Sequence, residues 1–205
     1  RNVPRNAVNG GLGNVTTTYV NNGRFQTDGI DAQLDWGMDV GPGTFGINSN
    51  FTYLLHFKSA ELPTDPLVDY AGTQGPVQNG TDGGAYRWKL LTSFNYSVGP
   101  LSATLQWNHL PSIEDQNEAR IPGGTTDVGN PKSYDMFSLL TTFAATDNVN
   151  IRFGVENLLN TAPRLVNYNP ANTSPETTGN LYATSPTLGG DILGRRFYLG
   201  ANVKF

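Results

Sequence analysis

The 205-residue chain has no cysteine, a formal charge of -4 and no basic run. These features exclude disulfide staples, thiolate metal sites and the electrostatic footprint of a nucleic-acid binder. Charged residues make up 15% of the chain and hydrophobic residues 37%, too little charge for an ordinary soluble surface and too little apolar content for a large dry core. No apolar run reaches the roughly 18 residues of a membrane-spanning helix, and the opening Arg1-Asn2-Val3-Pro4 is polar and turn-like rather than a leader.

In chain order the dominant signal is a period of two. A first strand is expected at about Val15 to Asn21, turning at Asn21-Asn22-Gly23. Ile30, Ala32, Leu34, Trp36, Met38 and Val40 then alternate with Asp31, Gln33, Asp35, Gly37 and Asp39. After Gly41-Pro42-Gly43, Phe45, Ile47, Phe51, Tyr53, Leu55 and Phe57 alternate with polar residues as far as His56. The Pro-, Gly- and Asp-rich stretch from Ser59 to Ala85 reads as an irregular loop. Trp88, Leu90, Phe94, Tyr96 and Val98 form the next apolar series, with Leu91 and Thr92 exchanging character in register. Gly99-Pro100 leads into Leu101, Ala103, Leu105 and Trp107. A second long connection runs to Lys132, and a weaker strand spans Tyr134 to Ala144. Ala145 to Asn148 leads into Val149, Ile151, Phe153 and Val155, and a third long connection ends at Gly194. The last strand carries Phe197, Leu199, Ala201, Val203 and Phe205 on one parity.

Eight strands are expected, mostly longer than the usual 5–6 or so residues. About ten tilted residues cross an apolar band about 25 Å tall. Tight turns alternate with long connections, as in outer-membrane barrels with short periplasmic turns and long outer loops. Aromatics toward the strand ends, among them Trp36, Phe45, Trp88, Trp107 and Phe143, match interfacial girdles. The expectation is an all-β fold: an antiparallel transmembrane β-barrel segment facing lipid on one side and water on the other.

The phrase Phe153-Gly154-Val155-Glu156-Asn157-Leu158-Leu159-Asn160, followed by Pro163, resembles the penultimate strand of TonB-dependent receptors. Gly194-Arg195-Arg196-Phe197-Tyr198, closing on Phe205, resembles their last strand and its terminal aromatic assembly signal. Ser133-Tyr134-Asp135 and Gly29-Ile30-Asp31 fit the same pattern. The resemblance implies that residues 1–205 are the C-terminal portion of a barrel of about 22 strands, with plug domain and signal peptide absent from this chain. It also implies a Gram-negative outer-membrane location and import of a scarce ligand such as a ferric siderophore, cobalamin or oligosaccharide. The implied partners are outer-membrane lipid, the TonB complex through the missing N-terminal part, and the barrel-assembly machinery through Phe205. The alternative architecture is a complete eight-stranded barrel with an adhesive or structural role; a soluble β-sandwich lectin is disfavoured by strand length.

No catalytic set is evident: Ser93 and Ser138 lack a neighbouring base, and no Gly-x-Ser-x-Gly elbow occurs. No cofactor or metal is expected. His56 and His109 lack ligand spacing and read as rim residues facing water; Asp65, Asp69 and Asp82 do not match a calcium loop. The inward polar set is Arg87, Lys89, Gln106, Asn108, Arg152, Glu156 and Arg196. Of these, Arg87, Gln106 and Asn108, with Asn117, Arg120, Asn167 and Tyr168 on loops, are the candidate contacts for a small-molecule ligand at the lumen and outer loops.

Overall fold

Period-two alternation becomes extended strands in the computed structural model, which describes residues 11, 23–60, 62–74, 85–114, 131–164 and 190–204. The strands are β1 (Arg24–Val40), β2 (Gly43–Ala60), β3 (Val68–Asp69), β4 (Trp88–Val98), β5 (Leu101–Leu110), β6 (Tyr134–Thr146), β7 (Val149–Glu156) and β8 (Arg196–Val203). There is no helix among the described residues. All strands join one antiparallel sheet in the order β1-β2-β4-β5-β6-β7-β8, with β3 paired to β2 off this path. Among the described residues the sheet is not closed: β1 pairs only with β2, and β8 only with β7.

Seven of the expected strands are present. The expected strand at Val15–Asn21 and the terminal Phe205 lie outside the described residues. The eighth strand is instead β3, inside the stretch expected to be irregular. There Lys58 and Ser59 pair with Asp69 and Val68. The Asp69 carboxylate also accepts the Phe57 and Ala71 amides at 2.9 and 3.1 Å. Two-residue turns close the hairpins β1–β2 and β4–β5 at Gly41-Pro42 and Gly99-Pro100. Both glycines have positive φ, 59° and 53°, the backbone that tight hairpins require and glycine adopts without cost.

Register fixes the two faces, because cross-strand partners share a side. One row runs Trp36–Ile47–Phe94–Leu105–Leu139–Val155–Phe197 across seven strands. The next, toward the turns, runs Met38–Phe45–Tyr96–Ala103–Thr141–Phe153–Leu199. Ser49 and Thr92 interrupt this apolar face, and their hydroxyls bond each other at 2.9 Å. Nothing among the described residues covers the face: Phe153, Leu199 and Val203 are 39%, 76% and 47% exposed. Most buried side chains lie instead at the loop end, where Tyr86 and Ile113 pack together with Leu110 against them and Tyr70, Ala71 and Tyr134 are also buried; Val155 and Thr92 are buried on the apolar face itself.

Register shifts at two places, beside the β6–β7 turn between Ala144 and Thr146 and within β1–β2. The β1–β2 register shifts between Asp28 and Gly29, so Gly29 faces Leu54, Asp28 faces His56, and Leu55 is the extra residue of a bulge. His56 therefore leaves the inward parity expected for it; its Nδ1 meets Asp28 at 2.9 Å.

Candidate functional site

The polar face divides into two halves. Across β1, β2, β4 and β5 its side chains bond one another. Gln33 donates to Asp35 at 2.9 Å, Asn48 donates to Asp35, Asn95 to Asn48 at 2.8 Å, and Thr104 to Asn95 at 2.8 Å. Thr52 and Thr44 donate to Asp31 and Asp39. These polar groups are thus paired along rows, which offsets part of their lost hydration, whereas Asn50, Ser93, Ser97 and Ser102 on the same face make no side-chain bond among the described residues.

Beyond Thr104 the ladder stops and the face becomes concave. A hollow of about 390 Å³ is lined by Thr104, Gln106, Met136, Ser138, Leu140, Glu156, Arg196 and Tyr198. Its floor is low because Gln106 faces the small Ser138, and because Gly154 sits between Leu140 and Tyr198. The Tyr198 ring reaches across Gly154, so a Cβ at that position would collide with it. Arg196 closes one side, donating from Nε and Nη2 to Glu156 Oε2 at 2.9 and 2.6 Å and from Nη1 to Asp191 at 2.7 Å. A second hollow, beyond Tyr198, includes Arg152 and Gly200.

The candidate ligand residues separate accordingly. Gln106 and Asn108 lie two residues apart on the polar side of β5, opposite Ser138 and Met136. Arg87 does not join them. Its guanidinium bonds the Leu55 and Leu54 carbonyls at 3.0 and 3.4 Å, capping the bulge of β2. The bulge thus supplies carbonyls that hold one nitrogen of this guanidinium. Asn117, Arg120, Asn167 and Tyr168 lie outside the described residues. Glu156 pairs with Arg196 on the neighbouring strand. Tyr198 was not singled out by sequence reasoning; its signal was the aromatic opposite Gly154.

The loop-end cluster frames this face. Arg164 lies over the rings of Tyr86 and Tyr134, at 5.3 and 5.5 Å, and donates to the Tyr86 hydroxyl and to the Pro111 and Lys132 carbonyls. Burial pushes the Tyr86 phenol above its ordinary pKa, against the pull of Arg164. The asparagines of the Asn157–Asn160 phrase have a geometric reason. Both are left-handed, φ 50° and 54°, a conformation asparagine tolerates better than most residues. The fully buried Asn157 brackets the turn by donating to the Thr161 carbonyl and accepting its amide at 2.7 Å. Asn160 accepts the Arg195 amide at 3.0 Å, tying the end of β7 to the start of β8.

His109 corrects a further expectation. It lies on the apolar face in a row of rings, stacked on Trp88 at 4.7 Å, edge-on to Trp107 at 5.7 Å, and 2.7 Å from Asp135. Asp135 also accepts the Trp107 indole N–H at 2.7 Å. The facing polar atoms of this row are therefore paired within the sheet.

Comparison with protein-family models, with curated proteins and with solved structures returns no match.

Proposed function

We propose that the chain is wall of a Gram-negative outer-membrane β-barrel of the TonB-dependent receptor kind, the C-terminal portion of a transporter that imports a scarce ligand. The observation that carries this reading is the broad apolar face, left largely exposed on a sheet whose other face is polar. In water such a face is a large unfavourable surface; in lipid it is the favourable one. Two rows of rings support it. Tyr53, Phe51, Trp88, Trp107 and Phe137 lie toward the loops, and Trp36, Phe45, Tyr96 and Phe143 toward the turns. The eight steps along β2 from Phe45 to Tyr53 span about 26 Å at about 3.3 Å per residue, close to the height of an apolar membrane band.

The edges of β1 and β8, which have no further partner among the described residues, support a wall that continues into further strands. In lipid each bare backbone group costs several kcal/mol. In this reading the polar face lines a water-filled interior, and the long connections face outward with the ligand. The TonB complex is engaged by a part of the protein other than this wall, and the terminal Phe205 serves assembly.

All three tryptophans lie on the apolar face, so fluorescence tests the reading directly. With the chain refolded into phosphatidylcholine vesicles, lipids brominated on their acyl chains quench most of the emission, and aqueous acrylamide quenches little. Acrylamide quenching without bromolipid quenching would refute the membrane assignment. A monodisperse monomer with both edges protected from hydrogen exchange would favour a complete small barrel.

A further inference from the structure

We infer that the carboxylate–imidazole pair Asp135–His109, with the rings beside it, is a headgroup site for a membrane lipid that carries an ammonium group. The inference rests on reading the apolar face as the one that touches lipid. Position carries it first. The pair stands on that face beside Trp88, Trp107 and Phe137, in the loop-side rows of rings. Amphipathic rings of this kind lie at the headgroup level of a bilayer. Acyl chains offer a carboxylate nothing, so its place on this face calls for a headgroup. The Asp135 side chain is 44% exposed, and no Lys or Arg among the described residues forms an ion pair with it.

Hydrogen-bond chemistry selects the headgroup. The Trp107 indole nitrogen can only donate, and it donates to Asp135 Oδ1. His109 Nδ1 lies 2.7 Å from the same oxygen. A carboxylate accepts, so Nδ1 holds the proton and the neutral imidazole keeps its lone pair on Nε2. Among the described residues Nε2 and Asp135 Oδ2 make no hydrogen bond, and both reach the surface. Both open atoms are therefore acceptors. A phosphate or carboxylate, itself an acceptor, finds no donor at this pair. A primary ammonium brings N–H groups for both atoms and a positive charge for the carboxylate. The rings favour the same ligand. Trp88 stacks on His109 at 4.7 Å and Trp107 on Phe137 at 6.1 Å, and the two indoles are half-buried, with surface left to meet a cation over their faces.

The test follows the indole N–H resonances of the full chain in micelles of an uncharged detergent, at a pH above the histidine range. Short-chain phosphatidylethanolamine is the probe. Phosphatidylglycerol with the same acyl chains is the anionic comparison, and ethanolamine without a lipid tail is the soluble one. Phosphatidylethanolamine should shift the Trp88 and Trp107 signals saturably and leave that of Trp36, toward the turns, in place. Phosphatidylglycerol should move none of them. Asp135→Asn keeps an oxygen for the Trp107 indole but removes the charge, and should weaken binding about tenfold. His109→Phe keeps a ring on Trp88 without Nε2 and should weaken it too, whereas Asp31→Asn on the polar face should change nothing. The proposal is overturned if phosphatidylethanolamine shifts no signal, if phosphatidylglycerol or ethanolamine alone shifts the same signals at the same concentration, or if Asp135→Asn titrates like the parent. Bromolipid quenching that persists beside any of these results would remove the headgroup site and leave the membrane reading standing.

Discussion

The sheet and the loop-end cluster are held together in opposite ways. In the sheet, backbone ladders carry the order, and large side chains such as Leu199 and Phe197 remain more than half exposed. At the loop end there is little ladder. Order comes from side chains: Ile113 without exposure, Arg164 between two tyrosine rings, and asparagines that bracket their own turns. On the proposed membrane reading, the sheet takes its apolar stabilisation from the lipid around it, whereas the cluster supplies its own; the same chain would then contain one region whose stability depends on lipid and one whose stability does not.

Substitutions can break that contrast. The largest effect is expected from charging the middle of the apolar face. Phe94→Arg with Leu139→Arg, in one row, should cost about 2–4 kcal/mol per site at mid-membrane depth. It should abolish folding into vesicles, read by the heat-dependent shift in gel mobility. Ile151→Arg, one row from the β4–β5 turn, should cost less, and Thr104→Arg on the polar face least. Equal yields for all would show that lipid does not touch the face.

Ile113→Ala comes next. It should destabilise the loop end by about 2–5 kcal/mol in lipid and detergent alike, seen as faster proteolysis of the outer loops while the strands stay protected. Arg164→Ala should follow at about 1–3 kcal/mol, with Arg164→Lys failing to restore the flat contact with both rings. Asn95→Ala cuts the polar ladder in its middle and should cost only about 0.5–1.5 kcal/mol in an unfolding titration.

The smallest effect is expected from acid. Burial pushes the Asp191 carboxyl up, but hydrogen bonds from Arg196 and the Leu193 amide outweigh it and hold the group below its ordinary pKa. A carboxyl lowered in the folded state contributes stability that is complete above its unfolded pKa and is lost as pH falls through the folded value. Protection of the segment around Asp191 in hydrogen exchange should therefore decline only at pH below the usual carboxylate range, and Asp191→Asn should abolish that decline.

The seven long strands and their facing were legible because each follows a local rule. Side chains alternate, and the Gly-Pro pairs mark two of the three turns between them. Even Leu91 and Thr92, exchanged in character, kept the expected sides. The bulge at Leu55 was not legible, since it depends on pairing between β1 and β2 rather than on either sequence alone. The contact of Arg87 with the Leu54 and Leu55 carbonyls was hidden with it. Pairing also explains His109, which looked like a rim residue until Trp88 and Asp135 were brought beside it from neighbouring strands. The hollow was half legible. Parity placed Gln106 on its wall, but its depth comes from Ser138 and Gly154 meeting across three strands, which no single stretch announces.

The outer edge of β1 carries Asp31, Asp35 and Asp39 at intervals of four on one side of the strand. If two copies of the protein met edge to edge in antiparallel fashion, centred on Asp35, that residue would face its own twin and Asp31 would face the other copy's Asp39. Like charges set directly opposite oppose such a union. The spacing is symmetric about its centre, so repulsion is greatest for self-pairing and smaller for any neighbour lacking that pattern. Among the described residues, the edge of β1 is thus guarded against its own sequence more than against another.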